Sequence, residues 1–241
     1  MSTGGIMHVI GVGPGDPELM TLKAARLIAG ARVIAYFAKR GKPGYARSIA
    51  AGHIAPGADE LRFEFPFTTE LPVHDACYQA GMEAFYADSA ARIAARLDAG
   101  TDVALLCEGD PLLYGSPIAL LGHGDLAWRS QVIPGVTGMS GCWSRAGCPM
   151  AQGDAVLTVL PGTLDERTLA ARLGMGDAAV IIKLGRNLPK VRAALRRTGR
   201  FGDALYVEQG TMAGERILRL AELTVCAAPY FSLLLVPGQR T

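Results

Sequence analysis

Near its start the chain passes from an apolar run, His8-Val9-Ile10, through Gly11-Val12-Gly13-Pro14-Gly15-Asp16-Pro17 into the helix-forming stretch Thr21-Leu22-Lys23-Ala24-Ala25-Arg26-Leu27-Ile28-Ala29. A strand, a glycine turn and a helix in that order make the ligand-binding corner of an open α/β sheet. The spacing approaches the dinucleotide fingerprint G-x-G-x-x-G, but Asp16 stands where the third glycine belongs. That glycine lets the helix pack close to its strand, and an aspartate cannot take over the role. The acid that would hold a ribose hydroxyl about 20 residues on is also missing, because the second apolar run ends Tyr36-Phe37-Ala38-Lys39. The turn therefore predicts a ligand site and argues against a nicotinamide dinucleotide.

Short apolar runs alternate with helical stretches along the rest of the chain. Strands are expected at residues 7–10, 32–37, 61–65, 102–107, 130–133, 155–160, 178–184, 204–208 and 230–236. Residues 73–97 read as one long helix with Tyr78, Met82, Phe85, Ile93 and Leu97 on a core-facing stripe, closed by Gly100. Thr163-Leu164-Asp165-Glu166 has the pattern of a capping box that opens a helix through Leu173. At 241 residues the chain exceeds the usual domain size. The composition change between Gly115 and Asp125 divides it into two α/β domains, residues 1–116 and 117–241. The first sheet should be open and largely parallel. The second should be mixed, with antiparallel strands at its edge, because residues from Gly210 onward lose the strand–helix alternation and read as hairpins.

Composition removes several function classes. No apolar run nears the roughly 18 residues of a membrane span, and the first residues lack the pattern of a secretion signal. The five cysteines are odd in number and have no C-x-x-C spacing, which fits a reduced, cytoplasmic protein without structural zinc. None of His8, His53, His74 and His123 has a metal-like neighbour at helical spacing. A net charge of +2, from 24 basic and 22 acidic residues, gives no footprint for nucleic acid. Locally, Lys39-Arg40-Gly41-Lys42 follows the second strand, where open sheets bind ligands. Arg192, Arg196, Arg197 and Arg200 read as a solvated helix face.

Four glycine turns each follow an expected strand: Gly13-Pro14-Gly15-Asp16, Glu108-Gly109-Asp110-Pro111, Pro134-Gly135-Val136-Thr137-Gly138 and Glu208-Gln209-Gly210-Thr211. One such turn is ordinary loop chemistry. Four, drawn from both halves, predict loops converging on a cleft between the domains. No G-x-x-x-x-G-K-[ST] is present, which counts against a nucleoside triphosphate.

Taken together, the G-x-G-P-G-D-P-x-L-x-T-L-K-A start, the glycine-aspartate-proline loop, P-G-V-T and the final E-x-G-T resemble the tetrapyrrole methylase family over nearly the whole chain. These are class III methyltransferases that use S-adenosylmethionine. Glu108-Gly109-Asp110-Pro111-Leu112-Leu113-Tyr114-Gly115-Ser116 is similar to the branch that methylates carbon 20 of precorrin-2, whereas siroheme-type relatives have Gly-Gly-Asp-Pro. Lys183-Leu184-Gly185-Arg186-Asn187 and Tyr206-Val207-Glu208 look like the same branch.

The resemblance implies a homodimer that holds a folded S-adenosylmethionine between its two α/β domains. The implied cofactor contacts are Pro14, Gly109, Asp110, Leu113, Thr137, Gly138, Leu184 and Gly210. Oxygen acceptors such as Asp110 and Thr137 suit the sulfonium and ammonium, and free N–H groups at a helix start suit the carboxylate. Asp110 has a second reading, as a turn or helix cap before Pro111. Transfer to an already nucleophilic meso carbon needs alignment more than acid–base help. The siroheme-type relatives carry an aspartate just after the second strand, where this chain has Phe37, so no proton acceptor is nominated. Tyr114 and Lys183 are the remaining candidates for catalysis. A substrate rimmed with carboxylates would engage Lys39, Arg40, Lys42, Arg47 and Arg186. The implied reaction is methylation of precorrin-2 at C(20) to precorrin-3A on the route to cobalamin. The alternatives are cobalt-factor II as acceptor, a family member acting on RNA or diphthine, a non-catalytic tetrapyrrole-binding module, and an NAD(P)-binding oxidoreductase.

Overall fold

The computed structural model describes residues 4–67 and 75–238. The chain divides into two compact units, Met1–Gly138 and Met139–Thr241. The first is built on five parallel strands, β1 (Met7–Gly11), β2 (Val33–Lys39), β3 (Asp59–Phe65), β4 (Val103–Cys107) and β5 (Ser130–Ile133), in the order β3-β2-β4-β1-β5. Helices α1 (Leu22–Gly30), α2 (Tyr45–Ile49), α3 (Ala76–Asp98) and α4 (Pro117–Leu121) cover it. Successive side chains point to opposite faces of a strand. Met7, Val9, Val103 and Leu105 accordingly pack with Ile93 and Leu97 of α3, while Ile10, Ala104 and Leu106 pack with Ala24 and Ile28 of α1 and Ile49 of α2. Burial on both faces explains why the central strands read as unbroken apolar runs rather than alternating ones.

The strand order fixes where a ligand can sit. The chain leaves β1 toward the β2 side of the sheet, while the connection after β4 leads across β1 to β5. β1 and β4 are thus adjacent strands whose connections depart in opposite directions. That is the switch point at which open α/β sheets form a crevice at their carboxyl ends.

Sequence places the domain boundary between residues 116 and 117, but the division falls after Gly138. The reason is pairing: β5 joins the first sheet beside β1, with Met7 opposite Ser130 and Ile10 opposite Ile133. The short apolar segment α4, which looks like a linker in the sequence, lays Leu120 against the α3-side core. Of the expected long helix, Val73 and His74 lie outside the described residues. The rest is α3, begun by Asp75, whose side chain accepts from the Cys77 and Tyr78 N–H groups, and stopped at Gly100 with φ +75°.

The second unit contains α5 (Gly138–Arg145), which starts on the last residue of the first, and then β6 (Leu157–Pro161), α6 (Glu166–Leu173), β7 (Ala178–Ile182), α7 (Leu188–Arg197), β8 (Leu205–Glu208), β9 (Arg216–Arg219) and β10 (Ser232–Val236). Its sheet is mixed, as expected, in the order β6-β7-β10-β8-β9. Of its antiparallel strands, β9 lies at the edge, as expected, whereas β10 is central, because it pairs with both β7 and β8. Three smaller readings also change. The cap of α6 is Asp165, which accepts from the Thr168 N–H at 2.9 Å, and not Thr163. β9 was not visible as a strand, since Arg216 and Arg219 bracket only two apolar residues. Arg192 and Arg200 do not form a solvated face. Arg192 donates to the Leu223 and Val225 carbonyls, and Arg200 to those of Asp177 and Pro237. No described helix is long and apolar enough to cross a membrane.

Leu105 is fully buried at the centre of the first sheet, whereas Leu22 at the start of α1 is exposed. Leu105→Ala is expected to cost about 2–5 kcal/mol in chemical denaturation, and Leu22→Ala less than about 0.5 kcal/mol.

Candidate active site

At the carboxyl ends of β1, β4 and β5 the backbones meet with no side chains between them. A Cβ on Gly135 would lie 2.1 Å from the Gly109 carbonyl oxygen and 2.9 Å from the Gly11 Cα, and one on Gly11 would lie 2.6 Å from the same oxygen. The loops after β1 and β4 are also tied together: the Val12 N–H donates to the Cys107 carbonyl at 2.9 Å, and the Gly109 N–H to the Gly13 carbonyl at 2.8 Å. Gly109 has φ +63°, a conformation that favours glycine. The floor of the switch-point crevice is therefore bare backbone, which a ligand can approach closely.

Asp110 fastens this floor. One carboxylate oxygen accepts from the Leu112 N–H at 2.9 Å and the other from the Gly135 N–H at 3.1 Å, so the residue joins the exit of β4 to that of β5. Asp110 is thus realised as a turn residue, since no helix begins at Pro111. Beyond it, Leu112, Leu113 and Tyr114 are exposed in a row, with Tyr114 at φ +58°. Thr137 and Gly138 lead into α5, whose first N–H groups lack intrahelical partners. A Cβ on Gly138 would meet nothing within 4 Å.

Around the same sheet edge, Lys39, Arg40 and Lys42 are exposed on the turn after β2, closed by the Lys42 N–H donating to the Lys39 carbonyl at 2.9 Å. Arg47, on α2, is paired with Glu60 of β3 at 2.9 Å, and the Tyr36 hydroxyl donates to the same carboxylate at 2.9 Å. Arg47 and the Tyr36 hydroxyl hold the Glu60 carboxyl below its ordinary range. Of the five expected substrate cations, then, four belong to one edge and Arg186 to the other unit. Phe37 is not a vacated catalytic position. Its ring packs on Phe63, Phe65, Phe85 and Tyr86, with centroids 5.3–5.9 Å apart.

In the second unit, β7 and β8 flank β10 and end on the same side, with Ser232 opposite Glu208. Lys183 (φ +56°), Gln209 (φ +49°) and Thr211 (φ +70°) follow these two strands. Together with Tyr114 they are the non-glycine residues of positive φ among those described. Such strain persists only where surroundings over-determine it, and it gathers at ligand loops. Glu215 supplies the constraint for one loop. It accepts from the Thr211 N–H at 2.8 Å and is clamped through two nitrogens by Arg145, which holds its carboxyl below the ordinary range. A Cβ on Gly210 would lie 2.6 Å from the Cys142 sulfur. Burial pushes the Cys142 thiol up to about 12, so it stays protonated and serves packing. Leu184 is fully buried, and its carbonyl accepts from the Asn187 N–H at 2.7 Å.

The profile of the Tetrapyrrole (Corrin/Porphyrin) Methylases matches residues 7–224. The chain belongs to this family. A precorrin-2 C(20)-methyltransferase of Sinorhizobium sp is 52% identical over 244 aligned residues, spanning all of this chain and 99% of that protein. The cobalamin biosynthesis protein CobIJ of Mycobacterium bovis is 45% identical over all of this chain, which spans only 47% of that longer protein. A cobalt-precorrin-2 C(20)-methyltransferase of Salmonella typhimurium is 28% identical over 98% of this chain and 97% of its own length. Among solved structures, the cobalt precorrin-4 methyltransferase CbiF superposes with a TM-score of 0.68 at 21% identity, covering 96% of this chain and 94% of that one. A uroporphyrin-III C-methyltransferase from Thermus thermophilus, complexed with S-adenosyl homocysteine, gives 0.61 at 24% identity, with 97% and 92% covered. The two α/β sheets, one parallel and one mixed, are thus a methylase fold.

Two groups in this methylase escaped the sequence reading. Arg145 and Glu215 form a loop clamp across 70 positions, with no local signal. Glu108 was legible only as a departure from the Gly-Gly-Asp-Pro of siroheme-type relatives. Its carboxylate accepts from the Ala46 N–H at 3.1 Å and so caps α2, whose own preceding residue, Gly44, has no side chain to do it.

The backbone contact at Gly135 and the open space at Gly138 make opposite predictions. Gly135→Ala should cost about 1–3 kcal/mol through overpacking, with a matching loss of S-adenosylhomocysteine affinity in calorimetry. Gly138→Ala should leave affinity within about twofold, because its Cβ meets nothing and its φ is ordinary.

Proposed function

We infer that this methylase transfers a methyl group from S-adenosylmethionine to C(20) of precorrin-2, giving precorrin-3A on the route to cobalamin. The observation that carries the reading is the glycine-floored crevice at the β1–β4 switch point, in a chain that matches a protein named for this reaction end to end. The cofactor supplies an electrophilic methyl on a sulfonium. What the chain provides is close backbone approach, fixed by Asp110, and alignment of the acceptor carbon with that methyl. Pro14, Gly109, Asp110, Leu113, Thr137 and Gly138 are assigned to the cofactor from the first unit, and Leu184 and Gly210 from the second. Tyr114 and Lys183, both held at positive φ, are assigned to positioning rather than proton transfer.

Lys39, Arg40, Lys42, Arg47 and Arg186 are assigned to the carboxylates of the tetrapyrrole. Arg47 would give up part of its Glu60 pair to do so, which makes the exposed turn the stronger anchor. The cobalt-containing acceptor is the second reading, and the lower identity to the Salmonella typhimurium enzyme disfavours it, 28% against 52%. The five free thiols fit a reducing cytoplasm. The homodimer rests on the family resemblance, and sedimentation of the full chain tests it.

Incubation with precorrin-2 and methyl-labelled S-adenosylmethionine should place the label on C(20) by NMR. Label at another carbon, or only with cobalt-factor II, would replace this reading. Neutralising Lys39, Arg40 and Lys42 together should raise KM for the tetrapyrrole and leave cofactor affinity unchanged. The effect should shrink with added salt, because exposed pairs are screened over about 8–10 Å near physiological ionic strength. An unchanged KM would move the role to Arg47 and Arg186.

A further inference from the structure

Methylation of a meso carbon leaves a proton to dispose of, and the sequence nominates no residue to take it. The crevice contains one carboxylate whose position suits the task. Glu108 directly follows β4 and precedes the Gly109–Asp110 floor. Along β4, Ala104 and Leu106 face the α1–α2 side, and Glu108 continues that alternation toward α2. It therefore stands between the loop assigned to the cofactor and the segment, from Lys39 to Arg47, assigned to the substrate.

The surroundings of Glu108 are unusual for an acid. The titratable groups on the elements beside it are Lys39 and Tyr36 of β2, Tyr45 and Arg47 of α2, Asp16 after β1, and Cys107 and Asp110 on its own strand end. Arg47 and the Tyr36 hydroxyl are engaged by Glu60, and Asp110 by backbone N–H groups. Among the described residues no cation pairs with Glu108. Burial raises its carboxyl above the ordinary range, against only its own backbone N–H and that of Ala46. A half-buried carboxyl held by backbone N–H groups alone costs stability at a ligand crevice, and such perturbed acids gather at functional sites.

We propose that Glu108 accepts the proton released from C(20) after methyl transfer. The proposal rests on the substrate reading above. In the step, an electron pair of the macrocycle at C(20) forms the bond to the methyl carbon, and the sulfur keeps the pair of the broken S–CH3 bond. The C(20)–H pair then returns to the conjugated ring while the proton passes to the Glu108 carboxylate and on to solvent. Atoms and charge balance without an oxidant. Since the reacting carbon must lie within about 3–3.5 Å of the methyl, its hydrogen is confined to the neighbourhood of the loop that Glu108 begins.

The test uses the full-length protein, with Glu108→Gln, which keeps an acceptor for the Ala46 N–H, and Glu108→Asp, which keeps a base. Glu108→Gln is expected to lower kcat about 100-fold or more, with the dissociation constants of both S-adenosylmethionine and S-adenosylhomocysteine within about twofold of wild type. Its turnover should also become sensitive to deuterium at C(20), and Glu108→Asp should recover part of the rate. A second readout does not involve activity. Because burial raises the folded-state pKa, the ionised form costs stability as pH rises above the unfolded value of about 4.3. The Tm of Glu108→Gln should therefore exceed wild type at neutral pH, and the difference should close below about pH 4. Wild-type turnover by Glu108→Gln would overturn the proposal. So would selective loss of S-adenosylmethionine affinity with S-adenosylhomocysteine affinity retained, since the carboxylate would then serve the sulfonium charge. A lower Tm at every pH, with cofactor affinity lost in step, would reduce Glu108 to a cap of α2. Failure of the substrate reading is recognised separately: wild-type protein then leaves precorrin-2 unlabelled at C(20), and the assignment of Glu108 falls with it.

Discussion

The first unit depends on three strand ends meeting backbone to backbone. Gly11, Gly109 and Gly135 come close enough that a Cβ on either Gly11 or Gly135 would collide with the Gly109 carbonyl. This contact brings the exits of β1, β4 and β5 to one point, and the strand order makes that point the switch of the sheet. A side chain at Gly11 or Gly135 would part the strands, whereas at Gly109 the obstacle is the backbone conformation, φ +63°. The fold and the ligand site are thus one constraint, and a residue that serves the first cannot be altered without touching the second.

Loops held this close leave N–H groups without partners, and carboxylates resolve them repeatedly. Asp110 takes those of Leu112 and Gly135, Glu108 that of Ala46, and Glu215 that of Thr211. A carboxylate has two oxygens and no hydrogens, so it can join two segments with charge-assisted bonds where a neutral acceptor would join them more weakly. In both units the loops so fastened carry a non-glycine residue at positive φ, Tyr114 in one and Thr211 in the other. Strained backbone and acidic anchor occur together because the second is what holds the first in place.

Much of this was legible in the sequence, and the reasons for success and failure are physical. Local signals survived: the glycine turns, the helix stop at Gly100 and all nine expected strands appear, with ends shifted by a few residues. Signals that depend on distant pairing did not. β5 looked like the first strand of a second domain because nothing in Ser130-Gln131-Val132-Ile133 tells that its partner is β1. The central place of β10 was not legible, because its hairpin-like flanks do not reveal that it is inserted between β7 and β8. Arg192 of α7 and Arg200 beyond it looked solvated because their carbonyl partners, at Asp177, Leu223, Val225 and Pro237, are 23 to 37 positions away.

At the site itself the same division separates what charge suggests from what geometry assigns. Residue type alone made Arg47 an anion ligand, yet Glu60 already occupies it. Phe37 marked a missing acid, yet it is the hub of an aromatic cluster whose rings need that position apolar. An acid lost from the end of β2 need not be lost from the crevice, because β2 and β4 are neighbours and their ends share one edge. Glu108 restores a carboxyl to that edge from the adjacent strand. Its chain neighbours are committed, Cys107 buried beneath Gly115 and Asp110 holding the floor, which leaves Glu108, held by backbone N–H groups alone and with no ion pair among the described residues, as the acid in this loop that does not fasten the floor. A charge held that way is costly in the resting protein, and the cost is lowered when the carboxylate takes up a proton. The driving force for deprotonating the methylated ring is thus present in the fold before either ligand arrives.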